Sequence, residues 1–231
     1  FAGAPEFDVQ IAAPKLDQFG IAVKEAALSG AVNGEGIVRV EGTQLAGSVG
    51  VSGTDLRLGK APLGGFTAQV KFENGAAILD TLTVQLAGSG EIAAKGRVGL
   101  DAPMPYSGEL HVKLANLATL SPILNAIGQP AKLGGAVTLE WSGDGQLGTP
   151  AHNGKLKLFA KSLHRDALVL DEARIGGMYS PTKAETTELL LVAEKARLSS
   201  HLEWQNDRLR ISELVGSYAG EQVFTGEASF P

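Results

Sequence analysis

Along most of this chain, apolar side chains fall on every second residue. "FDVQIAA", "GIVRVEG", "SVGVSG", "DLRLGK", "TAQVKFENG", "LTVQLAG", "GELHVKLANL", "GAVTLEW", "GKLKLFAKSL", "HLEWQNDRLRIS" and "QVFTGEASF" all share this period. Successive side chains of a strand point to opposite faces of its sheet, whereas a helix needs a period near 3.6, so the pattern predicts strands with one apolar face. Hairpin-type dipeptides punctuate them at Asn33-Gly34, Asn74-Gly75, Asn153-Gly154 and Asn206-Asp207, with Gly88-Ser89-Gly90 as a further turn signal. Strands joined by such short turns pair antiparallel.

One segment breaks the rhythm. In "LANLATLSPILNAIGQP", Leu117, Leu120, Ile123, Leu124 and Ile127 recur at helical spacing around Ser121 and Pro122, which suit a cap and a first-turn proline. The spacing predicts a short helix near 117–127. "KAETTELLLVAEKARL" has helix-compatible composition, but the alternation on either side favours a strand there.

The 231 residues include 44% hydrophobic but only 6% aromatic side chains, with 30 glycines. The apolar content is therefore aliphatic and spread over a sheet surface, rather than gathered around bulky anchors. A formal charge of -5 argues against nucleic acid as a partner, since phosphate binding needs clustered Lys and Arg. With no cysteine, disulfides and thiolate chemistry are excluded. No apolar run reaches the roughly 20 residues of a membrane-spanning helix, and the start at Phe1 suits a piece of a longer polypeptide.

Four blocks recur in order: "EFDVQIA" with "ELHVKLA", "GIVRVE" with "GAVTLE", "LRLGKAPLGGF" with "LVLDEARIGGM", and Leu79, Gly90, Glu91, Gly96 and Leu100 with Leu209, Gly220, Glu221, Gly226 and Phe230. Ordered matches of this kind predict one elongated β domain over 1–231, made of two weak repeats at about 1–105 and 106–231.

Catalytic and cofactor motifs fail on context. Gly143, Gly145 and Gly148 fit G-x-G-x-x-G, but Thr149-Pro150 and the strand-like "KLKLFA" follow where a dinucleotide site needs a helix N-terminus. "GDGQLGTPAHNGKLKL" instead reads as a connection between a strand ending near Trp141 and one beginning near Lys155, with His152 in the loop. Gly59-Lys60 and Gly154-Lys155 lack the remainder of a P-loop. The four histidines, His111, His152, His164 and His201, have no metal-ligand spacing, and His164-Arg165-Asp166 reads as a solvated turn. Ser52 and Ser89 lie outside any nucleophile elbow. No enzyme, metal or cofactor is expected.

An apolar sheet face must be covered or used. A single sheet folded over on itself leaves a furrow lined by aliphatic side chains. Roughly twelve to sixteen strands at about 4.8 Å spacing would make it on the order of 60 to 75 Å long, a track for hydrocarbon more than a pocket. The inward positions are Val9, Ile11, Val38, Val40, Leu56, Leu58, Val70, Phe72, Val84, Leu86, Val112, Leu114, Val137, Leu139, Leu156, Leu158 and Leu209.

The stretch from Leu117 to Leu163 resembles the repeat of the AsmA and TamB superfamily of bacterial envelope proteins. The resemblance lies in Leu120-Ser121-Pro122, in Gly134 through Glu140, and in Gly148, Pro150, Gly154, Leu156 and Leu158; "LDEARIGG" and "LVGSYAGEQVFTGEASF" add to it. It implies an elongated, folded-over antiparallel β-sheet with an apolar inner groove, like the bridge-like lipid transfer proteins. It further implies a parent protein anchored in the inner membrane and reaching across the periplasm, with its anchor outside this segment. On this basis the chain is expected to bind phospholipid acyl chains without catalysis, supporting phospholipid transport or outer-membrane assembly, and to meet outer-membrane or envelope proteins. The alternative is a structural or interaction module, a β-sandwich or solenoid that scaffolds envelope proteins.

Overall fold

The computed structural model describes residues 5–88, 90–165 and 168–230. The strands are β1 (Glu6–Ala13), β2 (Ala22–Val23), β3 (Ala26–Glu41), β4 (Gln44–Leu58), β5 (Ala61–Glu73), β6 (Ala76–Leu86), β7 (Gly90–Gly99), β8 (Pro105–Leu114), β9 (Leu133–Gln146), β10 (His152–Arg165), β11 (Leu168–Tyr179), β12 (Lys183–Ala193), β13 (Ala196–Gln205), β14 (Arg208–Tyr218) and β15 (Glu221–Phe230). All belong to one antiparallel sheet whose order follows the chain, with β2 attached to β3 off the path. Among the described residues β1 and β15 do not pair, so the sheet is not closed. Among the described residues each strand has its substantial contacts with its sheet neighbours, and no second sheet packs on it. The sandwich considered from sequence is therefore not the fold.

The strands that the alternation suggests as short pieces are long. "SVGVSG" and the "DLRL" of "DLRLGK" both lie in β4, and "KAETTELLLVA" is β12. Asn74-Gly75 and Asn206-Asp207 are turns, and Asn74, Gly75, Asn206 and Asp207 all have positive φ. Two other expected turns are overturned. Asn33-Gly34 lies in the middle of β3 and Asn153-Gly154 inside β10. Ser89 of the Gly-Ser-Gly signal and Asp166 of the His-Arg-Asp turn lie outside the described residues.

Between β8 and β9 the chain forms a 3-10 turn, Leu117–Leu120, and then α1, Ser121–Ala126. Pro122 sits in its first turn as expected, but Ser121 is not the cap. The Asn116 side chain accepts from the Ala118 N–H and caps the 3-10 turn instead, while the Ser121 hydroxyl donates to the Ala131 carbonyl. A second 3-10 turn, Leu16–Phe19, occupies the connection from β1 towards β3. Both turns bury their leading leucine, Leu16 and Leu117, each 7% exposed. In this one respect β1–β3 and β8–β9, the first matched segments, are built alike. The third pair is not equivalent, because Leu56–Phe66 crosses the β4–β5 hairpin whereas Leu168–Met178 lies within β11.

The two helical connections share one rim of the sheet with the turns at 24–25, 59–60, 87–88, 194–195 and 219–220; the turns at 42–43, 74–75, 100–104, 147–151, 180–182 and 206–207 form the opposite rim. α1 lies against β5, and the Lys24 ammonium donates to the Ile127 carbonyl at 2.7 Å. Leu58 and Ala61, on the same rim, are each 4% exposed. Elsewhere burial is thin: no large side chain is fully buried among the described residues. What organises the molecule is a face, not a core.

Candidate functional site: an apolar sheet face

Pairing carries that face across the whole sheet. One row of directly opposed residues runs Val9, Gly36, Val49, Val70, Leu79, Gly96, Gly108, Gly143, Gly154, Tyr179, Ala184, Trp204, Leu209, Phe230, from β1 to β15. Every member is apolar, aromatic or glycine. The next row toward the helical rim contains Ile11, Val51, Leu82, Leu110, Trp141 and Leu156, and the one beyond it Val84, Ile92, Val112, Leu139, Leu158 and Ile175. Closest to that rim, Leu56 opposes Gly64, and Leu86, Leu114, Val137, Ala160, Ala173, Leu191 and Leu198 continue the line. On the other side, Val38 leads through Gly47 to Phe72, and Val40 opposes Leu45.

Register thus brings together on one face all the positions that the alternation singles out. Leu58, opposite Ala61, belongs to the same phase but is closed off in the small core beside the helices, so it offers no surface to a ligand.

The apolar face is the inner one. Along β3 its positions Val32, Gly34, Gly36, Val38 and Val40 are half-buried, while Asn33, Glu35, Ile37, Arg39 and Glu41 on the other face are exposed, and β9 alternates the same way from Val137 to Asp144. β-Bulges interrupt the ladders at Ser29/Ala31, Gly53/Leu56, Leu79/Leu82, Lys161/His164 and Ile211/Leu214, among others. Each adds bend and twist within a strand, and repeated from strand to strand they fold the sheet over into a half-pipe. Ion pairs such as Lys95–Glu109 (3.0 Å) and Lys183–Glu203 (3.1 Å) link adjacent strands and face solvent.

The region around "GDGQLGTPAHNGKLKL" departs most from its sequence reading. β9 runs on to Gln146 and β10 starts at His152, so the connection is only Leu147–Ala151, and Gly143, Gly145 and Gly154 are strand residues on the apolar face. Aromatic rings cover these glycines: a Cβ on Gly143 would lie 2.6 Å from the Trp141 ring, and one on Gly154 2.6 Å from that of Tyr179. His152 is not a loop residue without partners. Its Nδ1 is 3.0 Å from the Tyr106 hydroxyl, and Trp141 Nε1 donates to the Tyr179 hydroxyl at 3.0 Å. The signal that would have placed Trp141, Gly143, Gly145 and His152 is phase: the first three follow Leu139 at two-residue intervals, and His152 precedes Leu156 by four.

His111, His152, His164 and His201 fall on β8, β10, β10 and β13, and no group of three metal-ligating side chains occurs among the described residues. No family model, no curated protein and no solved structure matches the chain.

Proposed function

We propose that this chain is a non-enzymatic lipid-binding segment, a conduit for phospholipid acyl chains in an AsmA/TamB-like envelope protein of the periplasm. The observation that carries the reading is the apolar face continued without a break through fourteen strands side by side, with no second sheet over it among the described residues. Thirteen intervals of about 4.8 Å make the furrow about 62 Å long, more than one acyl chain occupies. Each methylene withdrawn from water onto such a face contributes about 0.8 kcal/mol, and an aliphatic lining adds little directional chemistry. Tight retention of hydrocarbon with loose selectivity, and movement from one stretch of the furrow to the next, follow from that combination. The envelope location and the anchor outside this segment rest on the sequence resemblance.

Photo-crosslinking decides the matter. A photoreactive amino acid placed at Val84 or at Leu156 in cells is expected to capture phospholipid, read by mass spectrometry of the purified adduct, whereas one placed at the outward-facing Glu140 captures none. Crosslinks from Val84 and Leu156 to protein alone would overturn the conduit and favour the interaction module.

A further inference from the structure

Resting on that reading, we infer that the furrow carries a polar station for an anionic phosphodiester head group, built from Tyr179 and the Tyr106–His152 pair. Both tryptophans and all three tyrosines of the chain, Tyr218 apart from the others near the helical rim, lie on the apolar face. Four strands, β8 to β11, bring Tyr106, Trp141, His152 and Tyr179 together there, toward the rim opposite the helices. Their rings explain themselves as cover for Gly143, Gly145 and Gly154. Their polar atoms do not, because phenylalanine would cover a glycine equally well.

Counting donors shows what the polar atoms leave over. The Tyr179 oxygen accepts from Trp141 Nε1, so its own proton is free to donate. Between the Tyr106 hydroxyl and His152 Nδ1 only one proton can lie. If Tyr106 donates, His152 Nε2–H is left; if Nδ1–H donates, the Tyr106 proton is left. Either tautomer frees one donor. Tyr179 covers Gly154 and the Tyr106–His152 pair covers Gly145, glycines of neighbouring strands on the same face, so both free donors open onto one patch. Hydrogen bonds to a charged acceptor are the strong kind, and a phosphodiester offers several acceptor oxygens to donors that converge on it. From the station toward the helical rim the face is aliphatic, Leu110, Leu139, Leu156 and Leu158, which suits the chains of the same lipid.

The test uses the purified chain in a W204F background, leaving Trp141 as the only tryptophan. Phosphatidylglycerol brominated at carbons 6 and 7 of its chains is expected to quench Trp141 about twofold more than the same lipid brominated at carbons 11 and 12. The Y106F/H152F double variant keeps an aromatic ring at each position and removes the pair's free donor in either tautomer, while the Trp141–Tyr179 hydrogen bond is untouched. It is expected to weaken phosphatidylglycerol about tenfold while leaving the headless hydrocarbon probe diphenylhexatriene bound as before. Stronger quenching by the 11,12-dibromo lipid, an unchanged phosphatidylglycerol affinity, or an equal loss of both ligands would overturn the station while the furrow stands. If the unsubstituted chain binds neither phosphatidylglycerol nor diphenylhexatriene, the furrow itself fails as a lipid site.

Discussion

Gly64 holds a bend of the half-pipe in place through what it lacks. It opposes both Leu56 and Leu86 beside a bulge, its φ is +108°, and a Cβ there would run into the backbone carbonyl of Gln85. Backbone cannot move aside as a side-chain tip can. Gly64→Ala is therefore expected to destabilise the fold by about 2–3 kcal/mol, conformational strain and clash together. Gly42, at φ +64° in an open turn with nothing near its missing Cβ, separates the two terms: Gly42→Ala should cost only about 1 kcal/mol. Urea unfolding of the two variants measures the difference, and equal losses would refute the steric argument. The same scale shows why the hairpin dipeptides divided. Asn74-Gly75 is a turn with both residues at positive φ, whereas Gly34 is in phase with Val32 and Gly36 on the apolar face of β3. A dipeptide states what the backbone can do locally; the phase of the alternation around it decides whether it does so.

At the level of elements, the alternation made strands and their faces legible because period two is a property of the backbone itself. It did not reveal strand length, since Gly at apolar-face positions such as Gly36, Gly47 and Gly143 interrupts the hydrophobic count without interrupting the strand. Nor did it reveal the Leu16–Phe19 turn, which is too short for a helical period to register. Pairing between neighbouring elements can be tested through charge. The Lys183 ammonium of β12 sits 2.6 Å from Glu185 and 3.1 Å from Glu203 of β13. The hydrogen bonds to Glu185 and Glu203 raise Lys183 above its usual pKa, and the one from Lys183 lowers Glu185 below the usual carboxylate value. A lowered carboxylate stabilises the fold above its unfolded pKa of about 4.3 and loses that contribution as pH falls through the folded value. The raised ammonium contributes fully below about 10.4 and loses it as pH climbs through its folded value. Lys183→Met is therefore expected to lower the melting temperature at pH 7, with the gap to the parent chain narrowing as pH falls through the lowered carboxylate value of Glu185. These groups face solvent and salt screens them, so the gap should also narrow in 1 M NaCl. A gap that persists unchanged through that fall in pH would mean that Lys183 acts through its aliphatic stem and not through its charge.

For the whole molecule the deciding quantity is surface. The accessible area is 14383 Å², whereas a compact monomer of 23.9 kDa exposes about 9,900 Å². The excess of roughly 4,500 Å² is what a one-layer sheet must show, because each strand is covered by its neighbours at its edges and by little on its faces. Cooperativity in such a chain comes from the ladder of hydrogen bonds and from side chains touching along the rows, as in repeat proteins, and not from a shared core. Shape follows from the same fact. A compact domain of 231 residues has a radius of gyration of about 17 Å. A one-layer sheet about 62 Å along the stack, with strands mostly of 10 to 16 residues and so roughly 33 to 53 Å long, should give about 21 Å. Small-angle scattering of the monomer distinguishes these values. A radius near 17 Å would mean that in solution the sheet closes on itself or collapses, hiding the face on which the lipid reading depends. A radius near 21 Å that is unchanged when phosphatidylglycerol is added would place the lipid inside a furrow already open, filled without rearrangement of the strands.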